Sequence, residues 1–210
     1  MEKEGSGSFE KTQKQKLLNL LFDLSFKYSE EPIFTLAYKK EKSRFYIDCK
    51  NTTLSPEGLV LVGEIIYDMI ADLNVDAIGG LTHGADPIAI STATIAKLKG
   101  KPIKAFIVRN ELKKHGIQKH IEGLVTPGDR VVIVDDVITT GSSTLTAIRL
   151  AKEAGLNVIK VIVLVDRQEG GRENITNEGF DVEALFTKDD LMSLYERKYQ
   201  SNSSKRAISG

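Results

Sequence analysis

Cys49 is the only cysteine in 210 residues, which excludes an internal disulfide and any metal cluster built from several thiolates. The chain also lacks an excess of either charge. Its 29 Lys and Arg match 29 Asp and Glu, so nothing in the balance points to a nucleic-acid or membrane surface. No uninterrupted apolar run is long enough to span a bilayer. Residues 1–11 are polar and Gly/Ser-rich, without the apolar stretch of a signal peptide, and the default expectation is a cytoplasmic protein. Two nucleotide-binding loops are missing as well: neither Gly-x-x-x-x-Gly-Lys-Ser/Thr nor Gly-x-Gly-x-x-Gly occurs. No internal repeat is visible.

What is present is a chain long enough for one medium-sized domain with a real core. Composition assigns disorder to residues 1–11 and to the Ser-rich tail 201–210, leaving a single domain over 12–200. Leu17, Leu18, Leu20, Leu21, Leu24 and Phe26 fall at helical spacing between Gln13 and Lys27. Two short strand-like runs, near Ile33–Tyr38 and Arg44–Cys49, read as a hairpin over the main sheet. Residues 12–50 thus form most of a small N-terminal hood. Ser55 followed by Pro56 starts a helix that runs to about Leu73.

From there strands and helices alternate. Strands are expected at Asp76–Leu81, Ile103–Val108, Arg130–Asp135, Val158–Val165 and Val182–Phe186. Helices are expected at Ala85–Leu98, Ser142–Ala154 and Lys188–Tyr199, the first two closed by Gly100 and Gly155. Continuous Val/Ile strands alternating with helices imply an α/β fold with a doubly wound, mainly parallel sheet.

The chemistry concentrates after Val131-Val132-Ile133-Val134. That strand carries Asp135 and Asp136 toward its carboxyl end, where ligands of open α/β sheets bind. Val137 and Ile138 follow, then the hydroxyl-rich turn Thr139-Thr140-Gly141-Ser142-Ser143, which runs into a helix. Free backbone N–H groups, hydroxyls and the positive end of a helix dipole suit a phosphate, and Gly141 lets the backbone approach it closely. Two acids beside a phosphate cradle make sense with a polyol between them, as in a ribose 5-phosphate.

A second cluster, Val108-Arg109-Asn110-Glu111-Leu112-Lys113-Lys114-His115-Gly116, lies between two strands and packs four cations or potential cations into seven residues. Lys119 and His120 come close behind. A polar loop of this kind can close over a leaving group and exclude water.

The first run resembles the phosphoribosyl-pyrophosphate (PRPP) signature of type I phosphoribosyltransferases. The loop resembles the Arg-Lys-Glu-x-Lys-x-His-Gly motif of orotate phosphoribosyltransferases. Further likeness lies in Phe34-Thr35-Leu36 with Ser43-Arg44-Phe45-Tyr46-Ile47-Asp48, in Gly79-Gly80-Leu81-Thr82 with the residues after His83, and in Val165-Asp166-Arg167-Gln168-Glu169. The likeness covers nearly the whole chain.

The resemblance implies synthesis of orotidine 5′-monophosphate from orotate and PRPP with Mg²⁺, in pyrimidine biosynthesis. It places Asp135 and Asp136 on the ribose hydroxyls, with Mg²⁺ near them through water and PRPP oxygens. Val137 to Ser143 (Val137, Ile138, Thr139, Thr140, Gly141, Ser142 and Ser143) would surround the 5′-phosphate. Arg109, Asn110, Lys113 and His115 would face the pyrophosphate, with Lys113 and His115 counted with the two acids as catalytic. Thr139, Tyr46 and Arg167 would bind orotate, Arg167 through its carboxylate. It also implies a homodimer whose 109–120 loop reaches the neighbouring site.

Three positions depart from the pattern. Asn110 stands where the loop motif has Lys, removing one cation. Tyr38-Lys39 replaces the usual Ser-Gly. His83-Gly84 and Asp86 occupy a region where some relatives carry Lys. His83 and His120 read as solvated loop histidines. Two alternatives stay open: transfer to another base, or a PRPP-sensing regulator on the same fold. The retained basic loop and the neutral charge argue against the regulator.

Overall fold

The computed structural model describes residues 4–36, 41–110 and 120–207, with side chains described from residue 11 to residue 199 of that set. Its core is a six-stranded sheet of order β5-β4-β3-β6-β7-β8. The strands are β3 (Ala77–Leu81), β4 (Lys104–Val108), β5 (Ile121–Gly123), β6 (Arg130–Ile138), β7 (Asn157–Asp166) and β8 (Val182–Thr187). All neighbours run parallel except β4 and β5. After β3 the chain moves outward to β4 and β5, then returns to lay β6 on the other side of β3. That reversal is the topological switch point of an open α/β sheet, and the crevice at the carboxyl ends of β3 and β6 is where such sheets bind ligands.

The two-residue strand period splits the core into two layers. Val132 and Val134 pack with Ile78, Ile162 and Leu164 against the N-terminal helices. Val131 and Ile133 pack with Val161, Val163, Ala147 and Ile175 on the opposite face. Val131, Val132, Ile133 and Val134 are all fully buried, and each side chain contributes about 1.5–3 kcal/mol of burial.

Four helices cover the first face: α1 (Glu4–Ser25), α3 (Pro56–Ile70), α4 (Ala85–Leu98) and the final helix α7 (Lys188–Ala207), which contributes Leu191 and Leu194. Two cover the second, α5 (Ser142–Glu153) and α6 (Gly171–Asn177). Ser55 caps α3 as expected, its hydroxyl accepting the N–H of Gly58 at 3.1 Å. Gly100 and Gly155 take the left-handed conformation (φ 81° and 78°) that ends α4 and α5.

Three sequence expectations are corrected. The run near Ile33–Tyr38 does not form a hairpin with Arg44–Cys49 over its described residues; only Phe34 and Ser43 form an isolated bridge. Instead β2 (Phe45–Ile47) pairs antiparallel with β1 (Phe26–Tyr28), the chain directly after α1. Phe26 and Ile47 are buried there, which gives that pairing an apolar anchor. Helix also replaces the disorder expected over 4–11 and 201–207. Both segments extend helices already fixed by packing, and propagation costs far less than nucleation. Along α1 it is Phe22, not Leu24, that is buried with Leu17, Leu18 and Leu21, while Leu24 is exposed. The 3.6-residue period puts 18, 22 and 25 on one stripe and turns 24 outward.

Candidate active site

β6 continues past the expected end at Asp135 to Ile138, so both acids sit within the strand. The side-chain alternation sends them to opposite faces. Asp135 follows Val131 and Ile133 toward α5, where the Thr144 hydroxyl donates to its Oδ2 at 2.7 Å. Its Oδ1 accepts the N–H of Asp136 at 3.0 Å. Asp136 turns to the other face, with its Oδ1 accepting the Val137 N–H at 2.9 Å. There it meets the β3–α4 loop: a Cβ on Gly84 would lie 2.4 Å from Asp136 Oδ1. Only glycine allows this approach.

Burial and the neighbouring Asp136 charge push the Asp135 carboxyl up to about 7. Asp136 is raised as well, by burial, with Lys50 opposing. Lys50 opens the short helix α2 (Lys50–Thr53), and its amine lies 2.7 Å from Asp48. Burial disfavours its charge, but the Asp48 hydrogen bond and the field of Asp136 outweigh that and raise its pKa. Cys49, fully buried between them, is pushed up by burial and then by Asp136. It stays an inert thiol in the core.

The turn after β6 forms a concavity of about 160 Å³ lined by Asp135, Val137, Ile138 and Thr139–Thr144. Gly141 adopts φ 77° immediately before α5. Ile138 reaches this hollow by its backbone, since its side chain is buried in the core. Thr140, Ser142 and Ser143 are exposed to the opening. The turn rests on a second one: a Cβ on Gly171 would meet the Thr139 carbonyl at 2.6 Å, and Asn174 donates to the Thr140 carbonyl at 3.0 Å. A larger open hollow of about 570 Å³ lies at the amino ends of the strands, beside Asp76 and Ile103. It is at the wrong end of the sheet for the acids and the turn.

Arg167 follows β7, and its N–H donates to the Ile138 carbonyl at 3.0 Å, directly beside the turn. Its side chain is only 3% exposed. The guanidinium packs on the Phe45 ring at 4.7 Å and pairs with Glu169. Tyr46, on the same hood strand, stacks on Phe34 at 6.2 Å. The turn and Arg167 therefore lie side by side beyond the carboxyl ends of β6 and β7, with Phe45 packed on the arginine.

At the carboxyl end of β4, Arg109 pairs with Glu122 of β5 at 2.8 Å. Asn110 is exposed beside it, while Lys113 and His115 lie outside the described residues. His120 is not the solvated histidine expected. Its Nδ1 lies 2.8 Å from the Arg109 carbonyl, whose residue in turn donates its N–H to the His120 carbonyl at 2.7 Å. The two residues close the base of the 110–119 loop. His83 is exposed as expected, 3.1 Å from the Thr82 hydroxyl, and the Thr82–His83 peptide is cis.

A family model described as "Phosphoribosyl transferase domain" matches residues 51–184. The orotate phosphoribosyltransferase of Aquifex aeolicus is 47% identical over 180 residues, spanning 86% of this chain and 98% of that protein. The chain belongs to the orotate phosphoribosyltransferase family. A solved family member from Mycobacterium tuberculosis, in complex with Fe(III) dicitrate, is 34% identical with a TM-score of 0.74, over 85% of this chain and 98% of that one. The same enzyme in complex with PRPP is 31% identical with a TM-score of 0.69, over 86% and 92%. Orotate phosphoribosyltransferases thus share this mixed sheet, and the expected fold class holds.

Sequence reasoning passed over Lys50 and gave no role to Phe45, Asp48 and Glu169, which it quoted only within family-like runs. Asp48 and Lys50 sit at a strand–helix junction, where no periodicity assigns them a partner. Glu169 is two residues from Arg167, a spacing that only a tight turn converts into contact.

Proposed function

We propose that this chain transfers the 5-phosphoribosyl group of PRPP to orotate, releasing pyrophosphate and orotidine 5′-monophosphate. The observation that carries the reading is the acid pair standing beside an anion-binding turn at the switch point, in a chain of this family. The turn Thr139–Ser143 and the amino end of α5 would take the 5′-phosphate. Asp135 and Asp136 would take the ribose hydroxyls and stabilise positive charge at C1 as the bond to pyrophosphate breaks and the bond to the base nitrogen forms. Arg109, Asn110, Lys113 and His115 would hold the departing pyrophosphate. Arg167 would pair with the orotate carboxylate, for which a planar bidentate donor is suited, and Tyr46 and Thr139 would flank the base.

Positioning and fixed charge supply most of the acceleration such a displacement needs. The paired carboxylates are the hard oxygen donors that Mg²⁺ prefers, so the residues fit that cofactor. Bound near Asp135 and Asp136 through water and PRPP oxygens, it would neutralise charge on the leaving group. The proposed assembly is a cytoplasmic homodimer in which the 109–120 loop serves the neighbouring subunit's site. No helix among the described residues is long and apolar enough to cross a membrane.

The test is the loss of orotate ultraviolet absorbance on adding PRPP and Mg²⁺, with hypoxanthine, adenine and uracil in parallel. Loss with orotate alone is expected. PRPP binding without reaction of any base would sink the catalytic reading.

A further inference from the structure

Glu169 follows Arg167 by two residues and contacts its guanidinium. Its Oε1 accepts a hydrogen bond from Nε of Arg167 at 3.2 Å and lies 3.2 Å from Nη2 as an ion pair, so one carboxylate oxygen sits along a single edge of the guanidinium. Both side chains are held from water, at 3% and 17% exposure. The planar group is pressed on its face by Phe45, and Lys188 approaches the same ring at 5.6 Å.

The backbone that sets this geometry is itself pinned. Gln168 takes φ 58°, which is rare for a residue with a Cβ. Its N–H donates to Asp166 Oδ1 at 2.7 Å. Its side-chain amide donates to Asp189 Oδ2 at 3.0 Å and accepts the Asp189 N–H at 3.2 Å. This left-handed residue turns the chain sharply enough to bring Glu169 back onto Arg167.

A guanidinium buried this deeply needs a counter-charge, because an unpaired ion in the interior is costly. An arginine that receives a ligand carboxylate also needs a fixed orientation, since its fork recognises a carboxylate through two parallel hydrogen bonds. Glu169 supplies both. It accepts from Nε and pairs with Nη2, which fixes the plane of the group on the Phe45 ring.

We propose that Glu169 is a positioning residue for base recognition: it fixes the Arg167 guanidinium against Phe45 so that a carboxylate-bearing base meets a preformed fork. This rests on the assignment of Arg167 to the base carboxylate. The counter-charge serves stability, while orientation of the fork rests on hydrogen-bond acceptance, so the neutral isostere retains the positioning role and truncation does not.

The experiment is steady-state kinetics of Glu169→Ala, Glu169→Gln and Arg167→Ala with orotate and PRPP varied separately. For Glu169→Ala, the KM for orotate rises about tenfold while the KM for PRPP stays near wild type, the loss expected of a misoriented bidentate contact. Glu169→Gln restores most of that loss. An unchanged orotate KM in Glu169→Ala overturns the proposal, as does an equal rise for both substrates or a failure of Gln to rescue. Arg167→Ala separates the two claims. If it spares the orotate KM, the base-site assignment fails and the proposal falls with it. If it raises that KM while Glu169→Ala does not, only the positioning role fails.

Discussion

Thr144 donates its hydroxyl to Asp135 across the β6–α5 junction at 2.7 Å, and this contact ties an acid inside the strand to the helix that follows the hydroxyl-rich turn. It is also the main hydrogen bond holding the Asp135 carboxyl down, against the burial and the Asp136 charge that raise it to about 7.

A carboxyl raised from 3.8 to about 7 costs the unliganded fold stability wherever it must ionise. Between those values the folded protein holds more protons than the unfolded chain, so this group makes stability fall as pH rises through the window. Asp135→Asn should stabilise the unliganded protein at pH 7.5 by about 1–3 kcal/mol, with little gain at pH 4, while abolishing most transferase activity. Urea unfolding at the two pH values checks it, and equal gains at both would refute it.

Removing the Thr144 hydroxyl takes away a contact that favours the ionised acid. Thr144→Val should move the Asp135 titration further upward, seen as a shift of its carboxyl resonance in a pH-titrated ¹³C spectrum. A downward shift would contradict the assignment.

Gly84→Ala places a methyl carbon 2.4 Å from Asp136 Oδ1, which must move aside. The expected result is at least a tenfold loss in kcat/KM for PRPP, because misplacing a catalytic group by about 1 Å can cost up to a hundredfold. The circular dichroism spectrum should not change. Wild-type kinetics would show that the loop yields without disturbing the acid.

Asn110 is exposed at the base of the basic loop, so a lysine there meets no steric objection. Asn110→Lys should raise kcat/KM for PRPP about two- to fivefold at low salt, with the gain shrinking as screening increases. Unchanged kinetics would mean that another lysine already fills the role.

His120→Ala deletes the contact that fastens the loop base to the Arg109 carbonyl. The KM for PRPP should rise about threefold, consistent with loss of one hydrogen bond, while the KM for orotate stays put. A parallel rise in both would place the effect in the fold instead.

The parts legible in the sequence were those governed by local rules. Val131 to Val134 could only be a strand buried on both faces, and Thr139 to Ser143 could only be a turn entering a helix. The β1–β2 pairing was not legible, because it depends on which of two short runs lies nearer the end of α1. Nor was the division of labour between the acids. Adjacent letters read as a pair, yet the pleat hands Asp135 to Thr144 and Asp136 to Gly84. His120 was read as solvated for a related reason: β5 is three residues long, too short to announce the antiparallel register that faces it with Arg109.

The contact between the two turns has a dimensional consequence. The hydroxyl-rich turn is seated backbone against backbone on Gly171, and the arginine is stitched to Ile138 just ahead of that turn. Under the proposed assignment, the turn and the arginine hold opposite ends of the product and, joined through backbone contacts, behave as the jaws of a fixed calliper. A base would then be measured by length as well as by charge.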